Sequence, residues 1–384
     1  MNIGIFLGHP AHFHYFKNSA RMLQADGHNV FFAVKEKDIL EKLMESAGFS
    51  YTRVRGKRDK SDKWHLAKSV LETDWNLGRF VRENKIDILV GAILPFLSRI
   101  NGSETIVIGE DDARVVPLYS WLALPLSNRI VSPLVCDNWL WEYKSIKYPA
   151  NLELAYLHPN HFTPSREVVE GYGIDVDKPY FVLRFASLNA HHDNGIKGIN
   201  TEVAQRLIDI LSPHGRIYIT SERPLEPQFE QYRIHINPLD MHHVMAFASL
   251  YIGDSQTMAA EAGVLGVPFV RFNDFVGRIG YLRELEDKYE LGYGIHASVL
   301  ADDSPIRRAD GSAQPSGVEA LYERVEQLVA MPTEERKEIF QARREKMLAE
   351  KIDCAKFLTW FIENYPASAD ETKKADEAFW KKFR

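Results

Sequence analysis

The chain of 384 residues has only two cysteines, Cys136 and Cys354. They give no disulfide framework and no metal-ligand spacing, and they fit a reducing cytoplasm. Positive charge is not in surplus: 47 Lys and Arg against 53 Asp and Glu leave a net charge of −6. That balance argues against a general nucleic-acid binder. No run of about 18 apolar residues is present, so nothing reads as a membrane span. The opening M-N-I-G-I-F-L-G-H-P lacks a basic n-region and a long apolar core, and reads as a first buried strand, not a signal peptide. What is present is a hydrophobic content of 45%, enough for real cores, over a length that suits two domains.

The first part alternates strand and helix. Strand patterns fall at 3–7, 30–34, 50–54, 86–90 and 105–108, with helical patterns at 14–25, 38–47 and 62–83. Such alternation predicts a parallel sheet covered on both faces. The pattern breaks where Pro133, Pro149, Pro159 and Pro164 fall among Trp, Tyr and Asn residues. Residues 133–179 read as the crossing between domains. Alternation resumes with strands at 181–185, 217–220, 234–236 and 250–252 and helices at 201–211 and 241–248. Past Ser316 the chain is helical and charged. The expected division is an N-terminal Rossmann-like domain at 1–164, a second at 165–332, and C-terminal helices at 333–384. Ligands bind beyond the carboxyl ends of strands in such sheets, so two facing domains would share a central cleft.

The richest stretch is G-D-S-Q-T-M-A-A-E-A-G-V-L-G-V-P-F-V at 253–270. It reads as a strand end, a tight loop, a short helix at about 257–265 and a return strand. Ser255 or Gln256 sits at the cap, where backbone N–H groups have no helical partner and attract phosphate oxygens. Thr257 opens the helix. Glu261, one turn on, is placed to accept hydrogen bonds from ribose hydroxyls. An ordinary α/β unit with an N-cap and an exposed Glu explains the same residues.

Three other constellations carry chemistry. G-H-P-A-H-F-H-Y-F puts Gly8, His9, His12 and His14 in or just after the first loop. A neutral imidazole at His12 suits removal of a proton from an acceptor hydroxyl, with His9 and His14 shaping the loop or, for His14, serving the helix structurally. His12 and His14 do not share a helix face, and no carboxylate or Cys adjoins them, so zinc is disfavoured. L-R-F-A-S-L-N-A-H-H-D-N-G puts Arg184 at a strand end, where it suits bidentate phosphate contacts, ahead of a polar loop with His191 and His192. A solvated loop is the alternative there. G-E-D-D-A-R at 109–114 offers Asp112 to sugar hydroxyls, with Glu110 and Asp111 capping a helix near Val115. The tail A-D-E-A-F-W-K-K-F-R mixes aromatic and basic residues, which suits either an anionic membrane or its own domain.

The 253–270 stretch resembles the donor-nucleotide segment of GT-B glycosyltransferases and UDP-N-acetylglucosamine 2-epimerases. Together with G-H-P-A-H-F-H-Y-F, I-G-E-D-D-A-R, L-A-Y-L-H-P and V-L-R-F-A-S-L-N-A-H-H-D, it resembles an uncharacterised prokaryotic domain-of-unknown-function family related to both, over roughly residues 1–300. The resemblance implies a GT-B-like fold. It also implies that Ser255, Gln256 and Thr257 hold a diphosphate and Glu261 a ribose, and it sets His192 at the Arg position of the epimerases' H-R-x-E-N. Two of the three acids of those epimerases are absent. V-G-A-I-L-P-F-L stands for a G-D-T turn, and L-P-L-S-N-R for P-E-E-x-N-R, with Leu126 and Ser127 at the acidic positions. Asp112 is the counterpart of the third. The implied activity is therefore glycosyl transfer from a nucleotide-sugar donor, UDP-linked by kinship, to a glycan or lipid-linked acceptor, with no cofactor and no metal. A sugar-nucleotide epimerase or hydrolase, and a non-catalytic nucleotide or glycan binder, are the alternatives.

Overall fold

The computed structural model describes residues 1–35, 38–55, 63–91, 94–186 and 198–384. They form two compact units, Met1–His161 with Lys351–Arg384, and Phe162–Glu350.

Unit 1 begins β1 (Asn2–Leu7), α1 (Pro10–Ala25), β2 (Asn29–Lys35), α2 (Asp38–Ser46), β3 (Tyr51–Arg55), α3 (Lys63–Glu83) and β4 (Ile88–Gly91). It continues with α4 (Phe96–Ile100), β5 (Glu104–Ile108), α5 (Pro117–Ala123), β6 (Arg129–Pro133), a 3-10 turn (Trp139–Lys144), β7 (Ser145–Tyr148) and α6 (Leu154–Leu157). The strands pair all-parallel in the order β3-β2-β1-β4-β5-β6-β7. Ile3, Ile5 and Leu7 are fully buried, as a central strand covered on both faces requires. Strand order reverses between β1 and β4, so the ligand crevice of this sheet lies at their carboxyl ends. The first sheet reaches into the stretch read as a crossing. β7 is only four residues long, too short for a periodic signal, and Trp and Pro residues flank it.

Unit 2 runs α7 (Arg166–Gly171), β8 (Tyr180–Phe185), α8 (Thr201–Leu211), β9 (Arg216–Ser221), α9 (Met241–Ala246), β10 (Leu250–Gly253) and α10 (Gln256–Val264). It ends β11 (Phe269–Asn273), α11 (Gly280–Arg283), β12 (Gly292–His296), α12 (Gly317–Ala330) and α13 (Thr333–Glu350). The order is β12-β11-β10-β8-β9, again all parallel. Here the reversal falls between β8 and β10. The expected strand at 234–236 does not form. The chain makes a single bridge, Ile219 to Arg233, and β9 remains the edge. Gly292 begins β12 because a Cβ there would lie 2.4 Å from the Phe269 ring.

The expected terminal block at 333–384 is divided. After α13 the chain returns to unit 1 as α14 (Cys354–Glu363), α15 (Ala367–Lys373) and α16 (Glu377–Trp380). Asp353 fastens the return, its Oδ1 at 2.8 Å from His161 Nε2 and its Oδ2 accepting from Asn160 Nδ2 at 3.0 Å. The tail packs on α14: the Trp360–Phe379 and Phe357–Trp380 ring centroids are 5.3 and 5.5 Å apart, and Phe383 is buried. Of the two readings of the tail, an anionic membrane or its own domain, these aromatic residues follow the second. Among the described residues, no helix is long and apolar enough to cross a membrane.

Candidate functional site

In unit 2 the G-D-S-Q-T run lands at the switch point. Gly253 ends β10 and pairs with Arg184 on β8. A Cβ on Gly253 would meet the Tyr251 Oη at 2.5 Å and the Arg184 carbonyl at 2.9 Å, so only glycine lets the two strands pass here. Ser255 is the N-cap of α10, its Oγ accepting from Met258 N at 3.5 Å. Gln256 and Thr257 occupy the first turn, half-buried, where backbone N–H groups lack intrahelical acceptors. The small residues Ala259, Ala260, Ala262 and Gly263 are buried, which lets the helix sit close on the sheet.

Arg184 is half-buried and ion-paired to Glu222 at the end of β9. Its Nε is buried and has no hydrogen-bond partner among the described residues. His191 and His192 lie outside the described residues. Glu261, which the ordinary α/β reading would leave exposed, is only 6% exposed. Its Oε1 lies 3.0 Å from the Nε2 of His242 on α9. Sequence reasoning missed this pair, and it missed Asp254. That buried carboxylate takes the Ala186 N–H at 2.6 Å and the Ile199 N–H at 3.4 Å. It thereby joins Ala186, just past β8, to Ile199, just before α8. Arg223 adds a bond to the Ile199 carbonyl at 2.7 Å.

In unit 1 the first loop also sits at the switch point. α1 opens earlier than expected because Pro10 is pre-set for the first helical turn and exposed His9 caps it, Nδ1 accepting from Ala11 N at 3.2 Å. His12 is therefore inside the first turn. Its Nδ1 accepts the Gly8 N–H at 3.2 Å. An imidazole accepting at Nδ1 carries its proton, when neutral, at Nε2. His14 is not a loop residue. It is buried on α1, its ring 5.2 Å from that of Tyr156.

The acidic run follows β5. Tyr15 Oη donates to Glu110 Oε1 at 2.6 Å, and Leu152 N to Glu110 Oε2 at 3.3 Å. Asp112, expected to meet sugar hydroxyls, is buried, and its Oδ1 takes the Asp137 N–H at 2.5 Å. The next helix opens at Pro117 with Val116 as its cap and no side-chain cap bond, so Glu110 and Asp111 do not cap it. Among the described residues, no three His, Cys, Asp or Glu side chains converge as a metal site.

The model of a family described as protein of unknown function (DUF354) matches residues 1–275. The chain belongs to the DUF354 family. An uncharacterised protein of Methanocaldococcus jannaschii is 23% identical over 286 residues, covering 70% of this chain and 81% of that protein. Among solved structures, a UDP-GlcNAc 2-epimerase from Neisseria meningitidis bound to UDP-GlcNAc has 14% identity and a TM-score of 0.60 over 94% of this chain and 100% of its own. The spinosyn forosaminyltransferase SpnP has 13% identity and a TM-score of 0.60, covering 94% of this chain and 98% of its own. A complex of S. aureus MnaA with UDP has 12% identity and a TM-score of 0.62, covering 96% and 97%. The two parallel α/β units of the DUF354 chain are thus a GT-B-like fold.

Strand polarity changes one comparison with the epimerases. L-P-L-S-N-R runs into Arg129 at the amino end of β6, the sheet edge opposite Gly8 and His12. The missing acids of that segment therefore say little about chemistry at the carboxyl edge, where Glu110 and Asp112 stand.

Asp254 gives the DUF354 chain a pH signature. Burial pushes its carboxyl up to about 6, against the pull of two N–H donors. The folded pKa is raised, so this group's contribution is complete below about pH 4 and is lost as pH rises through 6. The loss amounts to about 3 kcal/mol by neutral pH, taking about 1.4 kcal/mol per pH unit. Asp254→Asn should start less stable, since an amide meets one N–H with an N–H, and should lack this decline. The gap in melting temperature between wild type and variant should narrow from pH 4 to pH 7. A gap that stays constant or widens would refute the raised pKa.

Proposed function

We propose that this protein is a glycosyltransferase that moves a sugar from a nucleotide-diphosphate donor, UDP-linked, to a glycan or lipid-linked acceptor. The observation that carries this reading is the Ser255-capped helix at the switch point of unit 2, with Arg184 on the adjoining strand. Two neighbours by fold hold UDP or UDP-GlcNAc in their structures, which favours a uridine donor here. Ser255, Gln256, Thr257 and Arg184 would hold the diphosphate, with His191 and His192 on the donor side. In the transfer, the bond from the anomeric carbon to the diphosphate oxygen breaks and the electron pair leaves with the diphosphate. N–H groups at the start of α10 would stabilise that charge. The acceptor oxygen bonds to the anomeric carbon and gives up its proton, with His12 as the acceptor-side group.

The experiment is calorimetry with UDP and UDP-sugars, followed by assay of UDP release with candidate acceptors. Nucleotide binding without release in any acceptor mixture would favour a non-catalytic binder. A second reading, epimerase or hydrolase, is favoured by Glu110 and Asp112 at the carboxyl edge of unit 1. Incubation with UDP-N-acetylglucosamine and no acceptor separates the two: C2 inversion or free sugar supports the second.

Turnover should persist in EDTA, because helix N–H groups and Arg184 would take the place of a cation. Loss on chelation, restored by magnesium or manganese, would make Glu110–Asp112 a metal site instead.

A further inference from the structure

We propose a second anion site in unit 1, a phosphate-binding pocket at the amino edge of the sheet, formed by Arg99, Arg129, Lys144 and Lys373. A cavity of about 410 Å³ opens there, within the usual range for small-ligand sites. The four cations line it together with the ring of Tyr143, and no acidic residue lines it. The site is at the start of β6 and β7, the opposite edge from the His12 loop.

The cluster is unusual in a chain whose net charge is −6. The described residues form many ion pairs, yet none of them involves Arg99, Arg129, Lys144 or Lys373. Glu104, at the start of β5, is bonded to Tyr365 Oη at 3.3 Å. Assembling like charges costs free energy unless an anion offsets it. Lys144 registers that cost: burial, then the charges of Arg99 and Arg129, push its ammonium down to about 8.

Part of the cluster serves the loop before β6. Lys144 Nζ donates to the carbonyls of Pro125 at 3.0 Å and Ser127 at 2.8 Å. Arg99 Nη1 donates to the Leu126 carbonyl at 3.1 Å, and Arg129 Nη1 to that of Asn128 at 2.9 Å. Neutral donors would also satisfy these four carbonyls, with weaker bonds. A guanidinium has five N–H donors and an ammonium three, so these bonds leave donors over. Arg129 Nε is buried with no partner among the described residues. Forked N–H donors beside a point charge suit a phosphoryl or diphosphate group. Tyr143, 73% exposed, offers a ring face for the organic part of such a ligand.

The test is titration of the full chain with inorganic pyrophosphate in saturating UDP, which occupies the site proposed on unit 2. Sedimentation with phosphatidylglycerol and phosphatidylcholine vesicles runs in parallel. The variant is Arg99→Gln with Lys373→Gln, both exposed and outside the proposed transfer machinery. Pyrophosphate binding in wild type, at least 10-fold weaker in the variant, supports a free phosphate ligand. Binding to phosphatidylglycerol vesicles alone, lost in the variant, supports the same site reading a lipid headgroup. Equal behaviour of wild type and variant toward both probes, with unchanged melting temperature, overturns the proposal. An upward shift of the Lys144 pKa on adding pyrophosphate is the second readout.

Discussion

Replacing His12 by alanine is expected to lower sugar transfer by at least about 10²-fold while UDP affinity stays nearly constant. A general base contributes typically about 10²–10⁴. The structure sharpens the test. His12 Nδ1 accepts the Gly8 N–H, so the neutral ring holds its proton at Nε2. In this state the ring would donate to an acceptor oxygen and orient it. To take a proton at Nε2 it must first shift its own to Nδ1 and release Gly8. His12→Asn keeps an oxygen for Gly8 and has no base. A base role therefore predicts that Asn and Ala variants lose turnover alike. Near-normal turnover in His12→Asn, with loss only in His12→Ala, would make the residue a loop brace. His9→Ala removes a cap and costs about 1 kcal/mol of stability. His14→Ala removes buried packing against Tyr156. Neither should approach the effect on turnover.

The fold was largely readable, and the reasons differ from element to element. α8 was expected at 201–211 and forms over Thr201–Leu211. Its N-cap bond, Asn200 Oδ1 to Val203 N at 2.9 Å, is local and visible in sequence. β1, β8 and β10 were readable because buried parallel strands are continuous apolar runs. β7 and β12 were not. S-I-K-Y and G-Y-G-I-H owe their strand state to neighbours, in the second case to the Phe269 ring that Gly292 must clear. The 234–236 run has apolar alternation, but the chain there makes only the one bridge to β9, from Arg233 to Ile219.

The candidate site divides in the same way. The cap on α10 is local chemistry: Ser255 or Gln256 was expected there, and Ser255 is the N-cap. Asp254 is adjacent to it, but its partners are the N–H groups of Ala186 and Ile199, which only the fold brings together. The bond from Gly8 to His12 needed the early helix start that Pro10 permits. The basic pocket draws on α4, the loop before β6, the turn before β7 and α15, and no window of sequence contains them all.

Replacing Glu261 by glutamine should weaken UDP binding by about 1.5–3 kcal/mol, the range for a hydrogen bond to a charged group. That is roughly a 10- to 100-fold rise in Kd. Glutamine is the informative choice because Glu261 is buried against His242. Alanine would strand the His242 ring in a buried site and confuse lost binding with lost stability. Glutamine keeps an oxygen toward His242 Nε2 and replaces the other carboxylate oxygen by a donor. Ribose hydroxyls would then lose a charged acceptor while α9 and α10 remain joined. His242→Gln is the matching control: it should lower the melting temperature more than it lowers UDP affinity. Calorimetry with UDP, beside thermal melts of both variants, separates the two effects. An unchanged UDP affinity in a folded Glu261→Gln protein would leave the His242–Glu261 pair as a structural tie and remove the ribose from this helix. A loss confined to Glu261→Gln, with His242→Gln binding normally, would place the carboxylate itself against the nucleotide.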